Sequence, residues 1–217
     1  MTIGSKAMIE RVYGPFVDRE RVAGVTFDGQ NVWFAAGEAL VAFDPESGNE
    51  VRSIPVPARA GTAFDGRFLY QIAGDRIQKV DPETGHVLGT IPTPDGGHAS
   101  GLTWAEGSLW LGQYRVGKIL KLDPETGRVL QTIESDRFVT GVSFAEGELW
   151  HGAMADGEAS ELRRIDPASN AVLERLELPA GLAISGLESD GAGRFYCGVA
   201  SSKEVLAVRR PRRKDAG

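Results

Sequence analysis

The sequence predicts an all-β fold, a five-bladed β-propeller of four-stranded antiparallel blades, and three observations predict it. A glycine-led string recurs five times: GVTFDGQNVWF at Gly24, GTAFDGRFLYQ at Gly61, GLTWAEGSLWL at Gly101, GVSFAEGELWH at Gly141 and a looser GLESDGAGRFYCG at Gly186. An Asp-Pro turn recurs in step with it, as DPESG at Asp44, DPETG at Asp81 and Asp123, and DPASN at Asp166. Between these marks lie short alternating apolar runs such as NVWFA and EVRSIPV, and no segment sustains the 3.6-residue apolar period of an amphipathic helix.

The glycine strings are spaced, by subtraction, 37, 40, 40 and 45 residues apart. A unit of this length is one supersecondary element that cannot bury its apolar face alone, so the units must stack, and four strands per unit is the propeller blade. In the third unit the inner strand is GLTW, a Glu-Gly turn follows, then SLWLG, a variable loop, KILKLD, the Asp-Pro turn and RVLQTI. Asp at the first turn position accepts backbone N–H groups, Pro presets φ at the next, and Gly supplies the left-handed conformation that returns the chain. The repeated turn is therefore hairpin chemistry.

The fifth unit is one strand short: after GLESD, RFYCG and EVLAVRR the chain runs into RRPRRKDAG. The unassigned KAMIERVYGPF alternates like a strand, so the N-terminal strand is expected to complete the C-terminal blade and remove an open sheet edge. Residues 1–208 then form a single propeller domain. Residues 209–217 read as a basic tail, either a disordered solubilising end or a contact for nucleic acid or acidic lipid.

Composition sets bounds on function. The 217 residues are 41% hydrophobic and 25% charged with a formal net charge of -6, an ordinary globular balance that argues against nucleic acid as a partner of the body of the protein. One cysteine, Cys197, excludes an internal disulfide framework and any multi-cysteine metal site. The opening residues show no apolar run like a signal-peptide core, and no segment approaches the length needed to span a bilayer; a cytoplasmic protein without membrane partners is expected.

In such a ring the loops before each inner strand and those between second and third strands share one face, and the Asp-Pro and Glu-Gly turns share the other. Chemistry is sought where the repeat is broken on the first face. Two residues after the glycine the units carry Thr26, Ala63, Thr103, Ser143 and Glu188. A carboxylate among small side chains near the axis is costly unless paired, so Glu188 is either a structural ion pair with an inner-strand neighbour or a general acid/base with a raised pKa. After the second-strand aromatic the column reads Phe34, Gln71, Leu111, His151 and Cys197. His151 is either a packing residue or a proton shuttle, and Cys197 a buried, inert thiol beside the substrate.

The loop GAMADGEASE after His151 carries Asp156, Glu158 and Glu161; Asp156 and Glu158, with Glu188, are candidates for a divalent metal at the axial pocket, and Glu161 for contact with the substrate. His98 sits where a pocket rim belongs. Gln113, Tyr114 and Arg115 stand in succession, an aromatic beside hydrogen-bonding and cationic groups, which is how a pocket orients a polar small molecule. Arg59, Arg76, Arg137, Arg163 and Lys203 are expected to add positive charge to the same face and to favour an acidic ligand. Walker, dinucleotide, zincin and EF-hand motifs are missing, and GHASG places Ser100 one position late for a nucleophile elbow.

The string G-[LV]-[TS]-[FW]-x-[DE]-G-x-L-[WY] with its I-x-K-[VL]-D-P-E-T-G continuation resembles the glutamine cyclotransferase family of propellers, with a fainter likeness to virginiamycin B lyase, over residues 22 to about 210. The resemblance implies cyclisation of N-terminal glutamine to pyroglutamate by a central glutamate with tryptophans around the substrate, roles for which Glu188 and Trp110 are the candidates here. The lyase likeness implies a His and Glu pair with magnesium, for which His151 and Glu188 are the candidates. The cyclotransferase first-blade string Phe-Thr-Gln-Gly-Leu reads RVAGV here at residues 21 to 25, without the glutamine. Three functions follow as expectations: an enzyme on a small amide, lactone or peptide-like substrate, a small-ligand sensor or carrier, and a protein-interaction platform.

Overall fold

The computed structural model describes residues 3–94, 98–155 and 160–211, and its five sheets close into a five-bladed propeller. The N-terminal segment makes β1 (Ile3–Lys6) and β2 (Ile9–Tyr13). Blade 1 is β3 (Val25–Phe27), β4 (Val32–Ala35), β5 (Leu40–Phe43) and β6 (Glu50–Ile54). Blade 2 is β7 (Thr62–Phe64), β8 (Leu69–Ala73), β9 (Arg76–Val80) and β10 (Val87–Pro92). Blade 3 is β11 (Ala99–Ala105), β12 (Ser108–Gln113), β13 (Lys118–Leu122) and β14 (Val129–Glu134). Blade 4 is β15 (Phe138–Ala145), β16 (Glu148–Met154), β17 (Glu161–Ile165) and β18 (Val172–Glu177). Blade 5 is β19 (Gly186–Ser189), β20 (Arg194–Val199) and β21 (Glu204–Arg209), with β2 as its fourth strand.

The ring therefore closes as the sequence predicts: β2 pairs antiparallel with β21, Ile9 opposite Val208 and Tyr13 opposite Val205. The structure adds a strand that the sequence reading left unassigned. Before reaching blade 5 the chain lays β1 parallel against β18, from Ile3 opposite Glu174 to Lys6 opposite Glu177, and so covers the outer edge of blade 4. The boundary of the basic tail also shifts. Arg209 ends β21 and pairs with Glu10, and the buried Arg210 reaches Glu146 at 2.6 Å. The rest of the tail, from residue 212, lies outside the described residues.

The turns show the expected chemistry. Asp44, Asp81, Asp123 and Asp166 each accept the backbone N–H two residues on, at 2.8 to 3.0 Å. Gly48, Gly85 and Gly127 close three of them with φ of 81°, 75° and 73°, and in DPASN Asn170 takes that place at φ 60°, a conformation Asn tolerates better than most side chains.

Aromatic packing repeats from blade to blade. The second-strand aromatic of one blade lies against an aromatic of the next: Tyr70 on Trp104, Trp110 on Phe144, Trp150 on Phe195 and Tyr196 on Phe27, with ring centroids 5.1 to 5.7 Å apart. Each such pair adds about 0.5–1.5 kcal/mol to the burial of the rings themselves. Among the described residues no helix is long and apolar enough to cross a membrane.

Candidate functional site

The five inner strands β3, β7, β11, β15 and β19 touch in sequence round the axis, and β19 returns to β3. The repeat glycines make that approach possible. A Cβ on Gly24 would lie 2.5 Å from Gly61 Cα, one on Gly61 2.6 Å from Gly101 C, and one on Gly101 2.7 Å from Gly141 Cα. A Cβ on Gly141 would lie 2.8 Å from Gly186 C, and one on Gly186 3.0 Å from Gly24 C. Five backbones thus meet in a ring that admits no side chain. It divides the axis into an upper funnel and a lower, closed layer.

The funnel opens on the face formed by the loops before the inner strands and those between second and third strands. It encloses about 560 Å³. Its floor is made of small residues standing just ahead of the ring, Ala23, Ala60, Ser100, Thr140 and Ser185, and its rim carries Arg21, Arg59, His98, Tyr114 and Arg115. None of the Asp-Pro turns lines it. Among the described lining residues there is no carboxylate. Arg21 bonds Glu20 at 2.6 Å and Arg59 bonds Glu38, both exposed carboxylates that do not line the funnel, whereas Arg115 has no ion-pair partner among the described residues.

The rim is held by backbone bonds between loops. Tyr114 N–H donates to the His98 carbonyl at 2.9 Å, and Val139 N–H donates to the Tyr114 carbonyl at 3.2 Å. The Tyr114 ring packs on Phe138 at 5.1 Å. His98, Tyr114 and Arg115 are accordingly fixed relative to one another on the blade 3 side of the mouth.

Glu188 lies on the axis two residues beyond Gly186, in the layer under the ring, and is not part of the funnel wall. Its neighbours are the members of its own column. Ser143 Oγ donates to Oε1 at 2.8 Å, Thr103 Oγ1 to Oε2 at 2.9 Å and Thr26 Oγ1 to Oε2 at 3.4 Å, and the Ser189 N–H adds a bond at 2.9 Å. The structural partner foreseen as a cation is instead a set of hydroxyls on three blades. Ala63, the column member without a hydroxyl, leaves room for the side chain. Burial pushes the carboxyl up to about 7, against the four hydrogen bonds that favour the charged form.

His151 does not meet Glu188. It pairs across the sheet with Val142 and Arg163 and shares a face with Leu149, which packs against Trp110 and Ile119 of blade 3, so the imidazole sits between blades 3 and 4 and not on the axis. It is wholly buried, its Nδ1 lies 3.2 Å from the Gly152 carbonyl oxygen, and Nε2 has no hydrogen-bond partner among the described residues. Burial first, then the positive Arg163, lower its pKa to about 4, so the ring is neutral at physiological pH. A His and Glu pair sharing a proton is therefore not assembled.

The remaining candidates divide between rim and core. His98, Tyr114 and Arg115 line the funnel, as does Arg59. Trp110 is an inter-blade packing residue like Tyr70 and Trp150. Gln113 is buried and donates from Nε2 to the Pro94 carbonyl at 3.4 Å. Gln71 is buried in blade 2, its Nε2 donating to the Ile72 carbonyl at 2.7 Å. Arg163, fully buried, is held by Asp136 and by Glu161, which lines a separate cleft on blade 4. Arg76 pairs with Asp75, Arg137 borders the clefts beside blade 4, and Lys203 reaches the Val17 carbonyl. Cys197 is buried between blades 4 and 5, and burial raises its pKa.

For a metal, Asp156 and Glu158 lie outside the described residues. Among the described residues no three His, Cys, Asp or Glu side chains come together, and Glu188 faces hydroxyls. Sequence reasoning passed over Arg21 and the floor of small residues. Arg21 opens the RVAGV string, where attention fell on the missing glutamine and not on the charge that the string brings to the mouth.

The chain matches no protein-family model and no curated protein. Among solved structures, a glutaminyl cyclase from Myxococcus xanthus superposes with a TM-score of 0.79 at 16% identity, over 96% of this chain and 98% of that one. The fold is that of a glutaminyl cyclase. A hydrazine synthase from Kuenenia stuttgartiensis is a more distant match, with a TM-score of 0.54 at 18% identity, over 83% of this chain and 56% of its own. At this identity the glutaminyl cyclase match speaks for the fold alone.

Proposed function

We propose that this protein takes a small or peptide-like molecule into the top-face funnel of a glutaminyl cyclase-type propeller and acts there as a binding protein. The observation that supports this reading is the convergence of loops from all five blades on one hollow of about 560 Å³, with a floor of small side chains and a few convergent polar groups at the rim. That volume and lining are those of small-molecule sites in general. Binding takes precedence over turnover because the funnel wall carries no described carboxylate, and the axial one lies beyond the glycine ring.

A second reading, an enzyme, is favoured by two observations. The fold is shared with a glutaminyl cyclase, and the Glu188 carboxyl is pushed up to about 7, where a general acid/base operates well near neutral pH. In cyclisation the α-amine attacks the side-chain amide carbonyl and ammonia leaves, so incubation with an N-terminal glutaminyl peptide separates the readings. Ammonia release lost in Glu188→Gln with the fold intact establishes the enzyme. Peptide recovered unchanged, with saturable binding of its N-acetylated form that Ala60→Trp abolishes by filling the floor, establishes the binding protein. Saturable binding that survives Ala60→Trp overturns the funnel as the site.

A further inference from the structure

We infer that the funnel selects ligands with an oxyanion head, carboxylate or phosphate, on an apolar body; this rests on the funnel being the ligand site. The chain as a whole is acidic, with a formal net charge of -6, yet the mouth of the funnel carries Arg21, Arg59 and Arg115 together with His98 and no described carboxylate on its wall. Among the described residues the charged side chains of the funnel wall are cationic alone, and a cationic mouth on an acidic molecule concentrates counter-charged ligands. Two of the three guanidinium groups have partners, but Glu20 and Glu38 are exposed and do not line the funnel, and exposed ion pairs are weak and give way easily. Arg115 has none among the described residues, and its loop is clamped to His98 and to Val139 by the backbone bonds of Tyr114.

A guanidinium presents two parallel N–H donors that match the two oxygens of a carboxylate or a phosphate. Below the rim the wall is mostly apolar, through Ala23, Ala60, Ala99, Met154, Ala183 and Ile184, with the small hydroxyl residues Ser100, Thr140 and Ser185 among them on the floor. Head and body of the ligand are thereby assigned to different depths. The same rim disfavours a free N-terminal ammonium, whose pKa of about 7.7–8.0 keeps it largely charged at neutral pH. The structure thus shares a scaffold with a glutaminyl cyclase while presenting the wrong charge for an unblocked peptide N-terminus.

The test uses one apolar body, phenylethyl, with different heads: 3-phenylpropionate, 2-phenylethyl phosphate, the neutral 3-phenylpropanamide and the cationic 2-phenylethylamine, with inorganic phosphate as the bare head. Calorimetric titration of the full chain is expected to show the two organic anions binding about tenfold or more tightly than the amide, and the amine not at all. Arg115→Ala is expected to weaken the anions about tenfold while leaving the amide unchanged, and rising salt to weaken the anions alone. The ratio between 3-phenylpropionate and 2-phenylethyl phosphate then identifies the preferred oxyanion. Amine binding as tight as carboxylate binding, or anion binding unchanged in both Arg115→Ala and Arg21→Ala, overturns the inference. If amide and carboxylate bind equally and Ala60→Trp abolishes both, the funnel remains the site and the anion preference fails. If no probe binds, the anion preference fails, and the funnel stands or falls on the peptide titration with Ala60→Trp.

Discussion

Thr103 donates from Oγ1 to Oε2 of Glu188 at 2.9 Å, and this bond joins blades 3 and 5, which are not neighbours in the ring. With Ser143 of blade 4 and Thr26 of blade 1 bonded to the same carboxyl, one side chain ties four inner strands across the axis. Glu188 is thus a clasp on ring closure, whatever else it does. Its burial and its bonds act in opposite directions on its charge, and burial wins.

That balance predicts a pH dependence. The carboxyl has a pKa near 4.5 in the unfolded chain and about 7 in the fold, so the folded state holds the proton more tightly. The stability this confers is complete below about pH 4.5 and is lost as pH rises through 7, by about 3 kcal/mol at 1.36 kcal/mol per unit. Glu188→Gln, which imitates the protonated carboxyl, should therefore gain on the parent protein by about 2–3 kcal/mol between roughly pH 5 and pH 8. Urea unfolding at several pH values measures it, and a constant offset over that range would mean that the carboxyl titrates normally.

His151 predicts the opposite slope. Its pKa falls from 6.5 to about 4 on folding, so the unfolded chain takes up the proton first, and stability is lost as pH falls from 6.5 through 4. Where the two windows overlap, the parent protein should look almost indifferent to pH. His151→Leu, the residue found at the same column position in blade 3, should expose the Glu188 slope and make the protein more resistant to acid. Equal losses of melting temperature for parent and variant below about pH 5 would remove His151 from this role.

Gly101→Ala should destabilise by about 1–3 kcal/mol, because its Cβ would come 2.6 Å from Val142 N and 2.7 Å from Gly141 Cα, backbone atoms of β15 that cannot yield as a flexible side chain would. Gly89→Ala provides the control, since nothing lies within 4 Å of its Cβ, and it should change stability by no more than about 0.5 kcal/mol. Thermal unfolding of the two variants side by side decides whether the ring is as tight as described.

Removal of residues 1–6 takes away only β1 and should leave a folded ring with a modestly lower melting temperature. Removal of residues 1–13 also takes β2 and the buried Tyr13, leaving β21 as an open edge. The longer deletion should aggregate or fail to accumulate as a monomer, which size-exclusion chromatography reads directly. Similar behaviour of the two truncations would mean that β2 is not what closes the ring.

The parts of this molecule that repeat were legible in the sequence, and the parts that depend on where two blades face each other were not. The DPETG turns and the glycine strings carry local conformational demands, and those demands gave blade count, strand order and the strand borrowed from the N-terminus. Glu188 stood out because one column of small residues held one carboxylate, and the hydroxyls that answer it were in that same column. Trp110 illustrates the limit: an aromatic next to a variable loop reads alike whether it faces a ligand or the next blade. His151 illustrates it again, since alternation says that it points away from Trp150 but not that this direction is a sealed interface. Arg21 was missed because its string was compared with a family pattern at the glutamine position, while its charge acts through the three-dimensional mouth.

The pairing of β2 with β21 has a temporal side. Glu10 and Arg209, which bridge the two strands, are 199 positions apart, so the first blade-forming strand to be synthesised waits for nearly the last. Until then β2 is an unpaired strand attached to four blades that cannot form a circle. Closing so long a loop must precede any contact that rewards it, and contacts of such high sequence separation make folding slow. The ring is therefore expected to assemble in two phases, with blades 1 to 4 forming as a curved, open array and closure by the two ends as the late, rate-limiting event.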